Sequence, residues 1–142
     1  MDTTPNDLKV YVRQYAEYPG PRYCDQGDFS GEDFYHSILN PEFAKAYDSK
    51  GKLVVDLDGT AGYASSFLDE AFGNLVFDFS AGIVRNHLVI ISKQEPDWKE
   101  LILNEVLSDW DQRRAKKQSP KKTEVHKSWV RIDDKGITQP KK

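Results

Sequence analysis

Apolar and polar positions alternate near the start of the chain. Leu8, Val10 and Val12 are separated by Lys9 and Tyr11, the period of a half-buried strand within residues 7–17. Pro19, Gly20 and Pro21 then forbid a continuing helix or central strand, so the segment through Asp28 reads as a loop. Ser30, with Glu32 and Asp33 behind it, predicts a capped helix start with negative charge in the first turn. That helix carries Phe34, Tyr35, Ile38 and Leu39 and is expected to stop at Asn40–Pro41, where Pro41 opens a second short helix ended by Gly51. Leu53–Val54–Val55 does not alternate, as expected of an inner strand covered on both faces. Gly59 and Gly62 mark a turn. From about Ser66 a helix follows, with Phe67, Ala71 and Leu75 in one row and Leu68, Phe72 and Val76 in the next. His87 to Ser92 reads as a third strand. Pro96 opens the last clear helix, whose Trp98, Ile102, Val106 and Trp110 recur every fourth residue beside Leu101. Strands alternating with helices predict an α/β layer, a mostly parallel or mixed sheet with helices packed on it.

Composition narrows the class. A chain of 142 residues, 38% hydrophobic and 30% charged, suits one soluble domain. No apolar run approaches the roughly 20 residues of a membrane helix, and MDTTPNDLKV lacks the basic and apolar regions of a signal peptide. A single cysteine, Cys24, fits a reducing compartment. The expectation is a cytoplasmic protein that does not engage membranes.

Charge divides the chain. From Arg113 onward there are 11 basic and 3 acidic residues, against 9 basic and 20 acidic before it, so an acidic body at −11 carries a basic tail at +8. The expected organisation is a domain over 7–112 and a basic, flexible extension over 113–142, where lysine pairs, Pro120 and Pro140 interrupt sparse apolar residues. Residues 128–132, SWVRI, offer one added strand. The lysine pairs and Trp129 are the chemistry of a nucleic-acid contact. The acidic body opposes that reading. Solvation, folding back on the body or contact with an acidic partner suits the tail better.

Candidate chemistry centres on Val55 to Leu75. Asp56-Leu57-Asp58-Gly59-Thr60 follows an apolar strand and resembles the opening motif of haloacid-dehalogenase-type phosphatases. That resemblance implies Asp56 as nucleophile and Asp58 as general acid/base, working with Mg²⁺. Leu88–Ser92 and Val130–Asp134, with Lys93 or Lys99, would have to supply the remaining parts. Against it, about 52 residues precede a motif that usually opens its domain, and Asp133-Asp134 lies in the basic tail. The plain alternative is that Asp56 and Asp58 shape and solvate a turn.

The same segment read through Ser65-Ser66-Phe67-Leu68 resembles the strand, loop and helix start of STAS domains, named for sulfate transporters and anti-sigma antagonists. Ala64 and Phe67 stand where that pattern has Asp and Gly. Two blocks, Gly20 to Leu39 and Val55 to Leu75, are similar to a bacterial family of STAS-like domains of unknown function. The resemblance implies an α/β STAS-like fold and a non-enzymatic regulatory module that binds proteins, with a histidine-kinase-like ATPase as the partner class. It places the contact patch at the start of the Ser66 helix, with Arg22, Asp58, Ser65, Ser66, Asp69 and Glu70 as binding or regulatory residues. A helix start favours a phosphate on Ser65 or Ser66. Ser66 and Asp69 also form a capping-box-like pair that explains Ser66 without any ligand.

Elsewhere the signals are weaker. Ser30 to Asp33 (SGED) reads as a cap rather than a phosphate loop. Asp25 and Asp28 near Cys24 would raise a thiol pKa, against catalysis. His36, His87 and His126 show no metal-ligand spacing, so neither metal nor cofactor is expected.

Overall fold

The computed structural model describes residues 7–126, 129–133 and 136–138. Strand β1 (Leu8–Tyr11) is followed by a single helical turn, α1 (Val12–Tyr15), and a loop holding a short 3₁₀ turn, Cys24–Gln26. Next come α2 (Gly31–Phe34), a π turn (Tyr35–Leu39) and α3 (Asn40–Asp48), then β2 (Leu53–Asp56). Helices α4 (Ser65–Phe79) and α5 (Ala81–His87) lead to β3 (Leu88–Ile91). Helix α6 (Pro96–Leu101), a second π turn (Ile102–Val106) and α7 (Leu107–Ala115) precede a hairpin of β4 (Arg131–Asp133) and β5 (Gly136–Thr138).

Strands β1, β2 and β3 form a parallel sheet in that order, with Leu8, Leu53 and Leu88 in one row and Val10, Val55 and Ile90 two rows on. Apart from Leu8, which is partly buried and packs against it, these two rows enter the core together with Phe34, Phe43, Phe67, Phe72 and Phe79. Leu53, Val54 and Val55 are all essentially inaccessible, which is what their unalternating run predicts. The α/β layer with a parallel sheet is therefore the observed class. No described helix is long and apolar enough to cross a membrane.

Three local expectations are corrected. The first strand ends at Tyr11, not Val12, because Val12 begins the α1 turn and accepts the Ala16 N–H. The helix from Ser30 does not stop at Pro41. The Asn40 N–H reaches back five residues to the Tyr35 carbonyl, and this π turn lets the chain pass a proline that has no N–H to give. Ser66 is not the cap of α4: that position belongs to Ala64, which has no capping side chain, and the Ser66 hydroxyl instead donates to the Gly20 carbonyl at 3.2 Å.

The basic segment follows one of its expected alternatives, folding back on the body at several points. Helix α7 runs through residue 112 to Ala115, and beyond it Thr123, His126 and residues 129–131 contact the body, while residues 116–119 and Val125 are exposed. Thr123 and His126 bond to Glu32, the Val130 backbone pairs with the Asn40 side chain, and Arg131 meets Asp78 at 2.8 Å. Trp129 is buried. The acidic body and basic tail thus meet in the fold. The strand expected in 128–132 begins at Arg131, and Ser128 lies outside the described residues.

Packing on α4 explains the arrangement. Both predicted apolar rows are buried, but so is a polar row four residues apart, Glu70, Asn74 and Asp78. Helix α7 lies on α4 where Gly73 leaves room: a Cβ there would meet the Trp110 ring at 2.0 Å. Gly31 likewise lets α2 lie close on α4: a Cβ there would meet the Phe67 carbonyl oxygen at 2.5 Å. Asp78 is held by Tyr35 (2.5 Å) and Arg131, so its burial leaves no orphaned charge.

Candidate functional site

Two neighbouring regions carry the candidate residues. The first is the turn after β2. Gly59 and Gly62 have φ of 89° and 141°, which only glycine adopts without strain. The Asp56 carboxylate accepts the Asp58 N–H at 2.9 Å and faces the Arg13 guanidinium at 3.6 Å. The Asp58 carboxylate accepts the N–H groups of Lys93 and Gln94, both at 2.9 Å, tying this turn to the one after β3. Leu57, Asp58, Tyr63, Ser92, Glu95 and Trp98 line a hollow of about 170 Å³ there. Both carboxylates are therefore engaged in holding turns. The acidic pair that a phosphatase would need does not join this sheet, since Asp133 lies in the antiparallel β4–β5 hairpin and Asp134 lies outside the described residues.

The second region is the start of α4. Ser65 opens the helix and is exposed, and α4 is long enough to present the partial positive charge of its free N–H groups there. The loop after α1 is fixed against it by backbone bonds from Ala61 to Glu17 and from Ala64 to Pro19. This carries Arg22 over the helix, where its guanidinium meets Asp69 at 2.5 Å and Glu70 at 3.2 Å. Asp69 also accepts the Trp110 indole N–H at 3.0 Å, and the Asn74 amide donates to Glu70 at 2.8 Å. Burial pushes the Glu70 pKa above the ordinary carboxylate value, and the bonds from Asn74 and Arg22 restrain that rise.

Arg22, Ser65 and Asp69 line one cleft of about 200 Å³, closed on its far side by Leu101, Glu105 and Asp109. Of the expected residues, the fold thus gathers Arg22, Ser65, Asp69 and Glu70. Ser66 points to the Gly20 carbonyl, and Asp58 belongs to the other hollow. Sequence reasoning missed Glu105, Asp109 and Trp110 as parts of this surface. Only the fourfold spacing of the last helix hinted that its Trp110 face meets α4.

Cys24 sits nearby with its thiol pushed up to about 12, first by burial and then by Glu32 and Glu124, so it is no nucleophile at neutral pH. The expected acidic cause is right in kind but comes from different carboxylates than Asp25 and Asp28. His36 is kept uncharged, its pKa pushed down to about 3 by burial and by His126.

Compared with known protein families, residues 30–98 match the STAS-like domain of unknown function (DUF4325). The match spans α2 to the start of α6, including the whole parallel pair β2–β3 and the start of α4. No curated protein and no solved structure matches the chain.

Proposed function

Because residues 30–98 form a STAS-like domain, we propose that this chain is a non-enzymatic regulatory module whose contact surface is the start of α4 and the Arg22 loop lying over it. The partner class is a histidine-kinase-like ATPase, and the switch is the charge state of Ser65. One observation carries the reading: Ser65 is exposed at the first position of a 15-residue helix and shares a cleft with Arg22. A phosphate there would gain from the helix end and from the Arg22 guanidinium that lines the same cleft. The same phosphate would meet Asp69, Glu105 and Asp109 across the cleft. It would compete with Asp69 and Glu70 for Arg22, so modification would rearrange the patch rather than add to it.

Incubating the chain with such an ATPase and Mg-ATP tests this. The expected result is a complex seen by calorimetry, a phosphate located on Ser65 by mass spectrometry, and a complex weakened at least about tenfold, roughly 1.4 kcal/mol, by Ser65→Glu. Absence of a Ser65 phosphate together with unchanged binding of Ser65→Glu refutes the proposal. Mg²⁺-dependent turnover of a generic phosphoester, abolished by Asp56→Asn, would replace it with the phosphatase reading.

A further inference from the structure

The sequence holds no metal-ligand spacing, yet the fold brings Cys24, Glu32 and His126 together from a loop, a helix and the basic segment. The Cys24 Sγ, one Glu32 carboxylate oxygen and one His126 ring nitrogen all lie within 4.8 Å of one another. His126 Nε2 is 2.6 Å from Glu32 Oε2, and the side chains of both are almost fully buried, at 8% and 1% exposed. Bonds of roughly 2.0 to 2.3 Å from a zinc-like ion to N, O and S donors would span such a triangle once its longest edge contracts by about an ångström and the short His126–Glu32 edge opens by somewhat less.

The surroundings hold the three side chains in place. Glu32 is oriented by the N–H groups of Cys24 (3.0 Å) and Thr123 (2.9 Å) and by the Thr123 hydroxyl (2.6 Å), the kind of outer bonds that fix a ligating carboxylate. The Ser30 hydroxyl, which also caps α2, donates to Cys24 Sγ at 3.4 Å. The His126 ring is held flat against the His36 ring at 4.0 Å. Both His36 ring nitrogens are buried beside it with no partner among the described residues. Cys24 also borders an open hollow of about 340 Å³ with Ser30, Asp33 and Glu124 on its walls, which provides an entry path and room for a fourth donor.

We propose that Cys24, Glu32 and His126 form a three-ligand site for a borderline divalent cation of the Zn²⁺ type, which fastens the C-terminal segment to the Cys24 loop and α2. Soft sulfur with imidazole and one carboxylate favours Zn²⁺ over Mg²⁺ or Ca²⁺, which prefer all-oxygen shells. On binding, the thiol loses its proton to solvent, and coordination replaces the hydrogen bond between His126 and Glu32. The site is independent of the Ser65 surface, so either proposal can fail alone.

The test uses the full-length chain stripped with chelator. Zn²⁺ is titrated against a chromogenic chelator and Co²⁺ is followed by absorption. One equivalent should bind, and the Co²⁺ form should show a thiolate-to-metal charge-transfer band. Cys24→Ser should abolish that band, and His126→Gln should weaken Zn²⁺ by more than roughly 100-fold, beyond the loss of an outer-shell partner. His87→Gln, at a histidine bonded to Gly51 elsewhere in the fold, should change neither. Zn²⁺ should also shield Cys24 of the unmutated chain from alkylation, which keeps the test valid if a variant misfolds. No stoichiometric binding, a band that survives Cys24→Ser, or alkylation unaffected by Zn²⁺ would overturn the proposal.

Discussion

Replacing Arg22 by Met removes the guanidinium that meets Asp69 at 2.5 Å and Glu70 at 3.2 Å while keeping an apolar stem of similar length. Asp69 is 32% exposed and keeps the Trp110 N–H, so its share is that of a surface pair, under about 1 kcal/mol. Glu70 is 1% exposed and would be left with the Asn74 amide alone. Breaking a buried pair from one side costs about 3–5 kcal/mol. Arg22 is itself 30% exposed, however, so water enters and Glu70 can take up a proton. The expected loss is about 2 kcal/mol at neutral pH.

This loss depends on pH in a defined direction. Burial already raises the folded pKa of Glu70 above its unfolded value of 4.5, so the fold favours the protonated acid. The stability this group contributes is present below the unfolded pKa and declines as pH rises through the folded one. Without Arg22 the folded pKa climbs further and the decline extends to higher pH. Urea unfolding followed by tryptophan fluorescence at pH 4.5 and pH 8, in the unmutated and Glu70→Gln backgrounds, measures it. Arg22→Met should cost about 2 kcal/mol at pH 8 and less than about 1 kcal/mol at pH 4.5, with the difference vanishing when Glu70 is Gln. An equal loss at both pH values, or a difference that persists with Gln at 70, would refute the argument.

Two further predictions rest on packing and on the buried tail contacts. Gly73→Ala places a methyl 2.0 Å from the Trp110 ring between α4 and α7 and should cost about 3 kcal/mol in urea unfolding; a loss under about 1 kcal/mol would mean the ring can move aside. Glu32 would be raised by burial, but bonds from Thr123, Cys24 and His126 hold it down at about 2, so its contribution is present above the unfolded value of 4.5 and is lost as pH falls toward 2. The stability advantage of the unmutated chain over Glu32→Gln should therefore shrink between pH 5 and pH 2, and a constant advantage across that range would count against the hydrogen-bonded carboxylate.

Much of the frame was legible in the order of residues because it is set by local rules. The unalternating Leu53–Val55, the paired apolar rows of α4, the Ser30 cap and the glycines after β2 each follow from periodicity, capping or backbone freedom within a few residues. Where local rules erred, a nonlocal contact had won. Pro41 should have ended a helix, but the buried face of Phe34, Leu39 and Phe43 is continuous, and a π turn accommodates the proline. Ser66 had the spacing of a cap, but the loop held over α4 offered the Gly20 carbonyl instead.

The candidate site was legible only in part, for the same reason. The pattern placed Ser65 at a helix start and singled out Arg22, Asp69 and Glu70. It could not show that Arg22, 47 positions from Asp69, would close over that helix. Glu70, Asn74 and Asp78 share the face that periodicity assigns to solvent, and the basic segment had the composition of a solvated tail. Each is costly to bury alone and inexpensive to bury together, since the carboxylates of α2 and α4 are satisfied by Thr123, His126 and Arg131. The sequence by itself therefore determined most of the strands and helices and put Ser65 at a helix start. Only the tertiary structure decided which residues of the acidic body and basic segment complete one another, because partners 53 to 94 residues apart leave no period for a local pattern to carry.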